Sequence, residues 1–173
     1  IVGFVIYLVA NYVVSASTDN YLSSIKENDF PIFEIVNETS IAVSALKMNY
    51  SAAVDTGEMS NLEAAKTIYE KIGFDLKKIA RLSPSHAEQI DKIQHELDSY
   101  FSASNQVADG MMQDSMNSDV LLKLVPQIDS NFSAVEVALK SLRETVKNSF
   151  SNQLDQVKNE NSAAWRVGAM LSL

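Results

Sequence analysis

The sequence predicts an all-α fold: an antiparallel up-down four-helix bundle whose long first and last helices continue into transmembrane helices. Three observations carry that prediction. Apolar residues recur at 3-4 spacing through four long segments, the period of helices packed along a seam. Only five Gly and three Pro interrupt 173 residues, and no strand-period run stands out. Both borders of the sequence turn apolar, Ile1 to Val14 and Ala163 to Leu173, with a polar block between them.

Those border runs set the expected domain plan. Residues 1–14 read as the end of a first transmembrane helix, 15–162 as a four-helix domain on one side of a membrane, and 163–173 as the start of a second transmembrane helix. Fourteen residues rise only about 21 Å against a hydrocarbon core of roughly 30 Å. The sequence starts at Ile rather than Met, so the expectation is of spans cut short at both borders. A removed signal peptide is the alternative for the first run. It leaves the second run unexplained.

Composition narrows the chemistry. There is no Cys, which excludes a disulfide framework, a zinc knuckle or a thiol nucleophile. The net charge is −8, and all the acidic residues fall between Asp19 and Glu160. Such a surface repels nucleic acid. His86 and His95 lack the Glu three residues earlier that di-iron bundles use, since Ser83 and Lys92 stand there. No metal and no cofactor is expected. Ser83-Pro-Ser-His86 has no nucleophile elbow, and no Gly-rich phosphate loop exists, so no enzyme is expected. Three Asn-x-Ser/Thr sequons, at Asn37, Asn49 and Asn131, are chance matches in a chain rich in Ser and Asn.

The elements follow in order. Helix one carries the seam Leu22, Ile25, Asp29, Ile32, Val36, Thr39, Val43, Leu46, Tyr50, Ala53. Pro31 lies inside it, which predicts a kink or a break. Gly57 is the left-handed residue past its end. Helix two opens with a capping box, Ser60 to Glu63. Its seam is Leu62, Ala65, Tyr69, Ile72, Leu76, Ile79, with Gly73 as a soft spot. Helix three opens with a second box, Ser85 to Glu88, and carries Ile90, Ile93, Leu97, Tyr100, Ser104, Val107, Met111 before fading at Asp109-Gly110. Met111, Met112 and Met116 read either as an adaptable partner surface or as packing over a loop end. Helix four starts near Asp119 with Pro126 in its second turn. Its seam is Val125, Ile128, Phe132, Val135, Leu139, Leu142, Val146, then Phe150, Leu154 and Val157. The two steps of four after Val146 predict a stutter. Trp165 marks the expected membrane entry. The outer helices, reaching about 60 Å, outrun the inner pair at about 33–40 Å, which gives a four-helix upper half on a two-helix stalk. A stalk of two helices leaves an apolar stripe open, so a homodimer is expected.

This order of elements resembles the four-helix-bundle extracytoplasmic sensor domain of bacterial methyl-accepting chemotaxis receptors and related transmembrane sensors. Local features add to the resemblance. Asn28-Asp-Phe-Pro31 is similar to the family's entry into helix one, Pro126-Gln127 to the start of its helix four, and Ala163-Ala-Trp165 to its second membrane entry. The resemblance implies a homodimer in a bacterial inner membrane with this domain in the periplasm. It implies a ligand bound across the dimer interface near the distal end, and a signal carried by a small displacement of helix four. The partner it implies is a small-molecule ligand or a periplasmic binding protein. Amino-acid receptors of the family hold the ligand carboxylate with Arg on helix one, whereas this helix one has only Lys26 and Lys47.

The family's pocket falls on Lys47, Asn49 and Tyr50 late in helix one and on Gln127 and Asn131 early in helix four. One reading makes them a polar pocket with one cation. The other makes Tyr50 seam packing, Lys47 a solvated charge and Asn131 a surface residue. The function expected is therefore ligand sensing by a chemoreceptor. The alternative is a sensor, or a non-binding dimerisation stalk, of a histidine kinase or a diguanylate cyclase.

Overall fold

A long segment with few Gly and Pro satisfies its backbone most locally as helix, and a 3-4 apolar row then gives that helix one face to bury. The computed structural model describes the backbone of residues 2–113 and 115–171, and the side chains of residues 9, 12, 14–113, 115–159 and 162. The described residues are all-helical, without strands. The elements are α1 (Val2–Ser24), a π turn (Ile25–Asp29), α2 (Phe30–Thr56), α3 (Met59–Leu82), a 3-10 turn (Pro84–His86), α4 (Ala87–Met112) and α5 (Ser118–Leu171).

The first expected helix is therefore two helices, and Pro31 is the reason. It has no N–H, and its ring crowds the carbonyl four residues back. The chain widens the turn ahead of the proline instead of breaking: the Phe30 N–H bonds the Ile25 carbonyl, five residues away. Pro126 lies within α5, which stays helical through it.

The chain divides into two compact units, Ile1–Phe33 with Thr145–Leu173, and Glu34–Glu144. In the second unit four helices pack against each other. The expected seams form its core: Val36, Val43, Leu46 and Ala53 from α2; Leu62, Ala65, Ile72, Leu76 and Ile79 from α3; Ile90, Ile93, Leu97, Tyr100 and Val107 from α4; Phe132, Val135, Leu139 and Leu142 from α5. Met111 and Val125 are exposed instead, since each lies near a helix end. Three polar residues go inside, Thr39, Asp75 and Ser104. Thr39 donates to the Ile35 carbonyl at 2.8 Å, and Asp75 takes a 2.6 Å bond from Lys71, whose ammonium also lies 3.6 Å from Glu38.

The helix ends differ from the expected caps. Gly57 has φ +71° and its N–H bonds the Ala53 carbonyl at 2.9 Å, as its position implied. Neither capping box forms. α3 begins at Met59, ahead of Ser60. The Thr56 hydroxyl serves that turn, accepting from the Glu58 N–H at 3.2 Å and from Asn61 Nδ2 at 3.3 Å. Ser85 is taken into the 3-10 turn, which Ser83 Oγ and His86 Nδ1 fasten at 2.6 Å. α4 runs past Gly110 to Met112. The Gly110 carbonyl then accepts the N–H groups of Ser115 and Met116, and the Met116 side chain lies where a Cβ on Gly110 would stand. Met116 is thus packing over the end of α4.

In the first unit Ile32 and Val146 are buried. The expected stutter in α5 does not form. Leu154 is exposed and Gln153 is half-buried, so the inward row runs Val146, Phe150, Gln153, Val157 in steps of four, three and four. A regular helix keeps its face only at that spacing. The consequence is a polar side chain inside, with Gln153 Oε1 buried and without a hydrogen-bond partner. Leu22 of the expected seam is likewise exposed, and Tyr21 is half-buried instead. Among the described residues no helix is long and apolar enough to cross a membrane. Most side chains of the apolar runs 1–14 and 163–173 lie outside the described residues.

The buried carboxylate gives a direct test. Lys71→Ala is expected to lower the unfolding free energy by about 1–3 kcal/mol, because Asp75 stays inside without its charged donor. Adding Asp75→Leu is expected to restore most of that loss. Urea unfolding followed by circular dichroism measures both; an equal cost for single and double variants would contradict an ion pair of that strength.

Candidate functional site

Residues one position past a seam residue share a flank of their helix, turned about 100° from the core. On α2 those positions are Ser40, Ser44, Lys47 and Ser51. On α5 they are Glu136, Lys140 and Arg143. The two flanks face each other and frame a groove within the unit Glu34–Glu144. One hollow of about 330 Å³ lies between Ser40 and Ser44 on one side and Glu136, Lys140 and Arg143 on the other, floored by Val43 and Leu139. A second, of about 650 Å³, shares Ser44 and Glu136 and extends past Lys47 and Phe132 to Asp55.

The charges in this groove are not spent on one another. Lys140, Arg143 and Glu136 form no ion pair within 4.0 Å among the described residues. Lys47 places its ammonium 4.3 Å from the centroid of the Phe132 ring, a cation–π contact of about 0.5–1 kcal/mol at an open site. The Ser40 and Ser44 hydroxyls donate to the carbonyls of Val36 at 2.9 Å and Ser40 at 3.3 Å. They offer the groove lone pairs only. The arrangement suits a small molecule with an anionic group toward Lys140 and Arg143, an apolar edge against Val137, and a donor toward Glu136.

Of the five residues expected to form a pocket, only Lys47 faces this groove. Tyr50 points into the core, where its hydroxyl donates to Asn105 Oδ1 at 2.8 Å and its ring meets Tyr100 edge-on at 6.0 Å. Asn49 donates to the Ala45 carbonyl of its own helix at 2.8 Å. Gln127 is exposed. Asn131 is half-buried, with its Nδ2 buried and without a hydrogen-bond partner. Gln127 and Asn131 each precede a seam residue, so they take the flank of α5 opposite the groove. The residues missed were Ser40, Ser44, Glu136, Lys140 and Arg143. Their signal was their place one step past Thr39, Val43, Val135, Leu139 and Leu142, which becomes readable only once α2 and α5 are known to be neighbours.

A polar and aromatic cluster joins α3, α4 and α5. Tyr69 stacks on Phe101 at 3.8 Å and donates to Asp98 at 2.7 Å, and Tyr100 meets Phe132 at 5.4 Å. Burial raises the Tyr50 hydroxyl far above its ordinary value and pushes Tyr100 up to about 12. Burial, then the bond to Asp98, pushes Tyr69 up to about 12. Among the described residues no group of three His, Asp or Glu is placed to hold a metal ion. No protein-family model matches the chain, and no curated protein and no solved structure matches it.

The raised tyrosines fix a pH dependence. Between about pH 10 and 12 the unfolded chain loses phenolic protons that the folded chain keeps, so stability falls as pH rises. Their contribution is complete below about pH 10 and is lost through the folded values. Tyr50→Phe is expected to cost about 1 kcal/mol near neutrality, through the lost bond to Asn105, and to flatten the alkaline decline. Urea midpoints measured from about pH 8 to 11.5 show it; an identical slope in wild type and variant would contradict Tyr50 as one of the groups that hold their protons.

Proposed function

We propose that this chain is the ligand-sensing extracytoplasmic domain of a bacterial transmembrane chemoreceptor, of the methyl-accepting chemotaxis kind. In this reading the unit Glu34–Glu144 is an antiparallel up-down bundle. The chain continues into inner-membrane helices at both borders, and the domain is periplasmic. Ligand occupancy is passed inward by displacement of α5, a single helix of 54 residues that lines the groove and runs on to Leu171. That helix supports the reading, because in this family's way of signalling the helix that touches the ligand is the one that moves. The observation that carries it furthest is the groove itself, with two unpaired cations on α5 facing α2.

A homodimer belongs to the same reading. On α2, Ile41 is 71% and Met48 72% exposed, and Ala45 and Ala52 complete a second row at 4-3-4 spacing beside the groove. Val137 on α5, 68% exposed, flanks it. A helix with a second apolar row at seam spacing suits pairing with the same helix of another copy.

The test is a thermal-shift screen of the chain against small carboxylates and phosphates. A ligand at 100 times its dissociation constant should add about 2.7 kcal/mol to stability. Lys140→Ala with Arg143→Ala is expected to abolish that shift while leaving the unliganded midpoint nearly unchanged, since both side chains lie outside the core. No shift with any compound would favour a dimerisation stalk that binds nothing.

A further inference from the structure

Three of the six methionines, Met111, Met112 and Met116, lie together where α4 gives way to α5. The groove does not use them. Gln113, Ser115 and Asn117, between the two helices, are exposed, whereas Met116 is half-buried. An apolar side chain so placed fastens a polar connection to the helix it leaves.

Its seat is Gly110. A Cβ there would stand 3.2 Å from Met116 Cβ and 3.3 Å from its Sδ, and would collide with its Cε. The missing Cβ is what lets the thioether lie this close to the helix backbone. The Gly110 carbonyl completes the fastening, accepting the Ser115 N–H at 2.9 Å and the Met116 N–H at 3.1 Å. Ser115 Oγ donates to the same oxygen at 3.4 Å. Gly110 thus presents the sulfur with a Cα and with an oxygen that is itself an acceptor.

A thioether suits that seat and a sulfoxide does not. A peroxide transfers one oxygen to Sδ: an S–O bond forms, the O–O bond breaks, the sulfur gives up two electrons, and hydrogen peroxide leaves as water. The product is a polar acceptor that needs a hydrogen-bond donor, and solvent supplies one. Half-burial leaves Met116 open to so small an oxidant.

We propose that Met116 is an oxidation site that works as a latch: the thioether holds the connection between α4 and α5 on Gly110, and the sulfoxide lets it go. The latch is independent of the groove and of whatever occupies it. Met48, Met59 and Met111 are 72%, 58% and 42% exposed, so they oxidise at least as readily and serve as internal controls.

Hydrogen peroxide on the intact chain tests this, with the modified methionines read by mass spectrometry and the Ser115 and Met116 amides by hydrogen exchange. Conversion of Met116 to the sulfoxide is expected to speed exchange of both amides at least about tenfold, while residues 90–100 keep their protection. Met48→Leu, Met59→Leu, Met111→Leu and Met112→Leu combined are expected to leave that response in place, and Met116→Leu to remove it. Gly110→Ala is expected to give the fast exchange without oxidant, since the added Cβ displaces the side chain. A Met116 sulfoxide with unchanged exchange at both amides would overturn the latch. So would a response that survives Met116→Leu, a Gly110→Ala variant that exchanges as slowly as the wild type, or a Met116 that stays a thioether after Met48 and Met59 are fully oxidised.

Discussion

A helix can offer a core only one face, and it returns to that face every 3.6 residues. Four helices of the unit Glu34–Glu144 meet that constraint together. Val36 to Ala53, Leu62 to Ile79, Ile90 to Val107 and Phe132 to Leu142 supply one inward row each. Everything else in the unit follows from where those rows lie. The position after a seam residue becomes a groove wall, as with Lys140 after Leu139. The position before it becomes the other flank, as with Asn131 before Phe132. The groove is therefore a by-product of packing, and its charges sit where the core face leaves off.

The same constraint governs the irregular places. Where the residue at the required spacing is polar, or a proline intervenes, the chain either accepts it or changes its geometry. Gln153 is accepted: it stays on the inward row of a regular α5, and Leu154 is left outside. In the segment before Pro31 the geometry changes, because the proline ring crowds the carbonyl four residues back, and a π turn stands ahead of it. Asp75 shows a third outcome, a carboxylate kept inside because Lys71 on the same helix reaches it at 2.6 Å. Each costs something in packing or solvation, and each is local.

How much of this was legible in the sequence depends on the range of the interaction. The seams were readable because side-chain periodicity is local, and Val43, Leu97 and Leu139 fell where their spacing put them. The Gly57 turn was readable because only a left-handed residue fits there. The capping boxes were not, because Ser60 and Ser85 compete with Thr56 and with the Pro84–His86 turn for the same helix ends. Tyr50 and Asn105 could not be paired from spacing, being 55 residues apart. Neither could Ser40 and Arg143 be set across one groove. The stutter at Phe150–Leu154 was a fair reading of apolar residues alone, and it failed because the helix kept its period and took in a glutamine.

The central claim is that these four rows form one shared core, so that burial on the row, and not apolarity, decides what a residue contributes. Comparing Leu97→Ala with Leu122→Ala by urea unfolding tests it most directly. Leu97 is fully buried on α4, while Leu122 is 74% exposed on α5. The expected cost is about 2–5 kcal/mol for Leu97→Ala and less than about 0.5 kcal/mol for Leu122→Ala. Equal costs for the two would contradict a core built on these rows.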